Sequence, residues 1–182
     1  MAKLVSKTYG DALFGLALEK EMLTEVWEEV KAIDTILKDN PDFVMALNHP
    51  RISESEKITL VQNIFGDSVS DIVIGFLVTV IEKGRTKELG KIFEYFSDKA
   101  REYNNIGVAN VSTAFPLSDE QKEQIVTRLI DVTDYVGFEM NYNVDPDLIG
   151  GMVIRIGDRV VDNSIKNKLN VLSKSLANVQ LN

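Results

Sequence analysis

Few side chains in this chain of 182 residues could carry proton transfer, metal binding or phosphate chemistry. His49 is the single histidine. It stands in Asn48-His49-Pro50, just after a predicted helix, where an imidazole serves as a hydrogen-bond or helix-dipole partner rather than a general base. No Ser-His-Asp arrangement is suggested around it. Asp145 and Asp147 form a small acidic loop. A calcium loop needs further oxygen ligands at fixed spacing and a distal glutamate, which are missing, so the segment reads as a proline turn with solvated carboxylates. Gly150-Gly151 has the residue type of a phosphate loop but neither GxxxxGK[ST] nor GxGxxG spacing. The pair lies between two strand-like runs, where glycine serves a bulge or a close backbone approach. There are no cysteines, which excludes disulfides and thiolate metal sites. No catalytic, cofactor or metal site is therefore expected, and what remains is surface for binding.

The elements that would position such a surface fall into two groups. Up to about residue 105 the chain reads as helices only. Val5, Tyr9, Leu13 and Leu16 recur at helical spacing, as do Val26, Val30, Ile33 and Leu37. Asn40-Pro41 predicts a helix start, with Asn as cap and Pro at the first position. Ser53-Glu54-Ser55-Glu56 is a capping box opening a helix that stops at Gly66. Ser70–Lys83 is apolar nearly all round, and Ile72–Ile81 is its densest part. At ten residues that run is too short to span a bilayer, so it reads as the buried centre of the bundle. A last helix carries Leu89, Ile92, Phe93, Phe96, Ala100 and Tyr103 on one face. Six helices with short connections predict a compact bundle.

The pattern changes at Asn104-Asn105. Ile106–Phe115 reads as a strand, and Ser118-Asp119-Glu120-Gln121 as a second capping box opening a helix with Ile125, Val126, Leu129 and Ile130. Phe138, Met140, Tyr142 and Val144 alternate with polar residues, the period of a half-buried strand. Met152–Ile156 and Arg159–Val161 flank Gly157-Asp158 as a tight hairpin. Ile165, Leu169, Leu172, Leu176 and Val179 stripe a final helix. The expected fold is α+β overall: residues 1–105 a six-helix bundle, residues 106–182 a small α+β domain with a short sheet and two helices. At roughly 75 residues the second domain is marginal alone, so docking on something else is expected.

The net charge is −8, which disfavours free nucleic acid as a partner. No acidic residue follows Asp162, while Lys166, Lys168 and Lys174 remain. These lysines read either as ordinary helix-end charge or as a face meeting an acidic partner. The start has neither a long apolar region nor the character of a transit peptide. Phe14 and Leu18 lie off the main stripe of the first helix, so that helix and the Ile72–Ile81 helix could leave a groove for a partner's amphipathic helix. Periodicity leaves open whether the bundle consumes that surface instead.

One run adds a family to this picture. Phe138-x-Met140-x-x-x-Val144-Asp145-x-x-Leu148-x-Gly150-Gly151-Met152-x-Ile154-Arg155-x-Gly157 resembles the signature of the delta subunit of F-type ATP synthases, the family that includes the mitochondrial oligomycin-sensitivity-conferring protein. Asp158-x-Val160-Val161-Asp162-x-Ser164-Ile165 continues the likeness. Tyr9-Gly10-Asp11-Ala12-Leu13 looks like the family's first helix with Gly10 in place of the usual Ala. Glu82-Lys83-Gly84-Arg85 and Pro116-Leu117-Ser118 match further turns.

The resemblance implies a non-catalytic stator connector with no cofactor. Its N-terminal domain would bind the N-terminal helices of the alpha subunits, in a groove around Tyr9, Leu13, Leu16, Phe76, Leu77 and Val80. Its C-terminal domain would bind the C-terminal end of the b subunit, with Lys166, Lys168 and Lys174 as candidate contacts. On that assignment Leu13→Glu weakens head binding and leaves the C-terminal domain folded. The expected location is the cytoplasmic side of a bacterial inner membrane, peripheral, with the membrane met only through the complex. A generic helical adaptor unrelated to ATP synthase is the alternative, and failure to join alpha and b subunits would favour it.

Overall fold

A computed structural model describes residues 2–179, with side chains for residues 4–175. Among the described residues there are eight α-helices and one four-stranded sheet. The chain divides into two compact units, Met1–Arg101 and Glu102–Asn182.

The first unit is helical: α1 (Ala2–Glu19), α2 (Leu23–Asp39), α3 (Pro41–Asn48), α4 (Glu54–Phe65), α5 (Asp71–Glu82) and, after a 3-10 turn at Thr86–Glu88, α6 (Leu89–Tyr103). The α1 helix ends without a glycine. Glu21 takes a left-handed φ of 57°, and Met22 N–H reaches Ala17 O at 2.9 Å while Glu21 N–H reaches Leu18 O at 3.0 Å. That is a Schellman stop built on a residue that gives no sequence signal for it. The α5 helix stops in the same way at Gly84, φ 63°, where the glycine announces it. Ser53 and Glu56 close the expected capping box on α4. Asn40 differs from expectation. Its side chain donates to Ile36 O at 2.8 Å and so finishes α2 rather than capping α3. Pro41 leaves α3 one fewer orphan donor to satisfy.

The core of this unit holds Leu13, Val26, Val30, Ile33, Phe93 and Phe96, none more than 1% exposed. Tyr103, expected on the buried face of α6, is 63% exposed. The α5 helix is apolar all round but not buried all round. Val73, Phe76, Leu77, Val80 and Ile81 face inward, whereas Gly75 and Thr79 are exposed and Ile72 and Val78 half-buried. Its open side carries the small residues Gly75 and Thr79, with the charged Asp71 and Glu82 at its two ends. Its N-terminus is held from α2: Glu29 accepts from Ser70 N–H at 2.8 Å and from Ser70 Oγ at 2.7 Å. Glu29→Ala strands both donors and is expected to cost about 1–2 kcal/mol. The urea midpoint read from Trp27, the single tryptophan and 4% exposed, measures it.

In the second unit the sheet order is β2-β1-β3-β4. Strand β1 (Ile106–Thr113) and strand β2 (Gly137–Val144) run parallel, joined by α7 (Asp119–Val132), which opens on the Ser118–Gln121 capping box. Strands β3 (Met152–Ile156) and β4 (Arg159–Asp162) form the antiparallel hairpin. Ile156 pairs with Arg159, so the loop is Gly157-Asp158, and Gly157 has φ 55°. The centre falls on β1, whose Gly107, Ala109, Val111 and Thr113 are buried on one face. Strand β2 is an edge with one neighbour. Its predicted half-burial holds for Phe138 and Met140 but not for Tyr142 and Val144, which are exposed. The last helix, α8 (Ile165–Val179), rests near its start on a 3-10 turn at Pro146–Leu148. Its expected apolar stripe is present. Ile165, Leu169 and Leu172 are 42%, 52% and 59% exposed, since no described residue of this unit covers them. The side chains of Leu176 and Val179 lie outside the described residues.

Candidate functional site

The residues considered for catalysis are each used in a local turn of their own unit. His49 Nδ1 accepts from the backbone N–H of Arg51 at 3.2 Å, and the backbone N–H of His49 closes α3 by donating to Ala46 O at 3.1 Å. Asp145 accepts from Asp147 N–H at 3.1 Å, a turn held by its own side chain. Among the described residues no three of His, Asp and Glu converge as metal ligands would.

The signature run builds a seat for α8. Gly151 has φ 77°, and a Cβ there would lie 2.3 Å from Asn163 O. A Cβ on Gly150 would lie 2.6 Å from Ile165 Cδ1. The two glycines let the chain at 163–165 press on bare backbone, where Asn163 N–H bonds Met152 O and Ile165 N–H bonds Gly150 O. Ser164, 1% exposed, accepts from Asn167 N–H at 3.1 Å and so caps the helix. Asp162 in turn accepts from Ser164 N–H at 2.9 Å, and the donors of Ser164 hold its carboxyl below the usual range. Leu148 is buried beneath the turn. Phe138 lies across Gly107 on β1, with Tyr135 edge-on at 5.3 Å, filling the space the glycine leaves. Val144 and Arg155 are exposed.

Each unit, taken by itself, also exposes apolar surface. In the first it runs along α1 and α5. Of the six residues assigned to a groove there, Leu13, Phe76, Leu77 and Val80 are 1%, 9%, 3% and 0% exposed. These four are core, since the apolar stripe of each helix is used by its neighbours. Tyr9 is half-buried against Phe76, and Leu16 is 39% exposed. The accessible face is therefore Leu16 with Ala12 and Gly15 on α1, and Gly75 and Thr79 on α5. A Cβ at Gly15 or Gly75 would meet nothing within 4 Å, so a partner backbone can approach closely. The sequence signal for this face was the small residues inside an otherwise bulky apolar helix.

The second surface belongs to the C-terminal unit. A cleft of about 350 Å³ lies between α7 and β3, lined by Leu117, Ile125, Leu129, Met152 and Ile154 with Gln121, Gln124 and Arg128. The exposed stripe of α8 is a second apolar feature of the same unit. Lys166 and Lys168 flank that stripe, whereas the helical period places Lys174 on the far side; all three are exposed.

Residues 5–176 match the family model described as ATP synthase delta (OSCP) subunit. The chain belongs to this family. The ATP synthase subunit delta of Lachnoclostridium phytofermentans is 55% identical over 181 residues, covering all of both chains. That of Alkaliphilus oremlandii is 34% identical, over 98% of this chain and 99% of its own. A chain from the structure of the Toxoplasma gondii mitochondrial ATP synthase hexamer superposes with a TM-score of 0.70 at 22% identity, over 94% of this chain and 97% of that one, which is a likeness of fold. A delta (OSCP) chain is a component of the ATP synthase complex, so the partners to be sought are other subunits of that complex. No helix among the described residues is long and apolar enough to cross a membrane.

Proposed function

We propose that this chain is the stator connector of a bacterial F-type ATP synthase, joining the catalytic head to the peripheral stalk so that the head stays still while the rotor turns. The observation that carries this reading is the family match, which spans both compact units. The six helices of residues 2–103 act as one bundle, whose α1–α5 face takes the N-terminal helices of the alpha subunits. The small residues Ala12, Gly15 and Gly75 suit it to a closely packed helix, with Leu16 as the apolar anchor. The C-terminal unit takes the end of the b subunit. The α7–β3 cleft and the α8 stripe supply apolar surface, and Lys166 and Lys168 suit an acidic helix. The chain is non-catalytic, and ATP chemistry lies in other subunits. It meets the membrane only through the complex, on the cytoplasmic side.

The two ends can be tested separately. Leu16→Glu places a charge on an exposed site, so the fold survives. It is expected to weaken binding to catalytic heads by about thirtyfold or more, as an interface anchor would, and to leave b-subunit binding unchanged. Leu169→Glu should do the reverse. Titration calorimetry of both variants against both partners reads this, and a Leu16→Glu chain that binds heads normally would remove the α1–α5 assignment.

A further inference from the structure

The helical period gives α1 two flanks. Gly10 and Phe14 lie on the flank turned to α6, and Tyr9, Ala12 and Leu16 on the flank turned to α5. On the α6 side the ring of Tyr95 rests on the bare backbone of Gly10: a Cβ there would lie 2.5 Å from Tyr95 Cδ1. The ring is not free to swing away. Its hydroxyl donates to Asp11 Oδ1 at 3.1 Å. Lys99, one turn further along α6, donates to the same oxygen and also sits 4.7 Å from the centre of the Phe14 ring. Phe14 meets Phe96 edge-on at 6.5 Å. These donors hold the Asp11 carboxyl below its usual range, Lys99 most of all. On the opposite flank Tyr9 meets Phe76 of α5 edge-on at 6.5 Å. The α1 helix is thus held between an aromatic ring of α6 and an aromatic ring of α5. An atom added at Gly10 needs about 1 Å more room to reach ordinary contact, and a shift of α1 away from Tyr95 is taken up at its contact with α5, where Tyr9 meets Phe76.

We propose that Gly10 and Tyr95 are positioning residues that set the spacing of the α1–α5 face on which the head's helix docks. The proposal rests on the reading of that face as the head-binding one. Tyr95 touches no partner in this scheme. It acts through α1, by fixing how far Ala12, Gly15 and Leu16 stand from Gly75 and Thr79.

The test uses the full chain with catalytic heads stripped of it, and three variants: Gly10→Ala, Tyr95→Leu and the two combined. Gly10→Ala is expected to weaken head binding by about tenfold, and removal of the ring in the double variant to restore affinity to within about threefold of wild type. Amide shifts of Gly75 and Thr79 should move in Gly10→Ala and return in the double variant. Binding of the b subunit should be constant throughout. A purely structural contact would lower the urea midpoint of Gly10→Ala without changing its affinity, and that result overturns the proposal. So does a folded double variant that stays as weak as Gly10→Ala. Tyr95→Leu guards against a Gly10→Ala chain that does not fold, since it should also shift the α5 amides, and still amides there would count against the proposal. Wild-type protein that fails to bind heads would sink the docking reading instead, and the amide shifts would still decide whether Gly10 and Tyr95 set the spacing.

Discussion

Leu13→Glu is expected to unfold the N-terminal unit rather than to silence a docking groove. Leu13 is 1% exposed, so the substitution removes a buried leucine and puts a carboxylate among apolar neighbours. Losing the leucine alone costs about 2–5 kcal/mol, and burying the acid adds several more. That sum is comparable with the whole stability of a domain, about 5–15 kcal/mol. Urea unfolding followed at Trp27 should show the transition lost or moved to very low denaturant. Far-UV circular dichroism should retain the signal of the C-terminal unit. Head binding would vanish as a consequence, so this variant says nothing about a groove. The exposed Leu16 does, because its charge can be solvated in the free chain. A Leu13→Glu protein with a native Trp27 transition would contradict the core assignment.

Gly151→Ala is expected to be the most damaging single methyl in the C-terminal unit. The position has φ 77°, and the added Cβ would lie 2.3 Å from Asn163 O and 3.1 Å from Ser164 Cα. These are backbone atoms, held by the Asn163–Met152 bond and the buried Ser164 cap, so they cannot step aside cheaply. Left-handed strain and overpacking together amount to about 3 kcal/mol or more. Gly157 supplies the control. Its φ is 55°, but a Cβ there meets nothing within 4 Å, so Gly157→Ala should cost only about 1–2 kcal/mol. The two variants compared by circular dichroism in urea separate the cost of the backbone conformation from the cost of the seat. Trp27 fluorescence should be unchanged in both. Equal losses would mean that the close approach of residues 163–165 is not what Gly151 serves.

What the sequence revealed and what it hid follow the range of the interactions. The capping boxes at Ser53–Glu56 and Ser118–Gln121 were legible because each bond closes within three residues. The stop at Gly84 was legible because glycine favours the left-handed conformation found there, and the equivalent stop at Glu21 was hidden because glutamate does not. Asn40 carried a correct boundary for the wrong reason, since a local pattern cannot say which of two helices its amide will serve.

Burial was harder. An apolar stripe states that a face is covered, not by what. Periodicity left open whether α1 and α5 offer a groove or core, and four of the six residues that the resemblance placed in a groove are core. On α8 the same pattern belongs to a face left open within its unit. The parallel pairing of β1 with β2, and the contact of Gly10 with Tyr95, join segments tens of residues apart and leave no local trace. The signature run was the exception. Its glycines were noticed for their spacing, and their use, a seat for the start of α8, became clear from the backbone atoms a methyl would strike.

The central claim is that one chain ties head to stalk. The most direct measurement adds the purified chain to membranes stripped of it together with soluble catalytic heads, and follows proton-driven ATP synthesis. Synthesis should be near zero without the chain and restored by it in proportion to the heads retained on the membrane. The Leu16→Glu and Leu169→Glu chains should each fail at opposite ends of the joint. Heads that bind and synthesise ATP equally well with the chain left out would contradict the account.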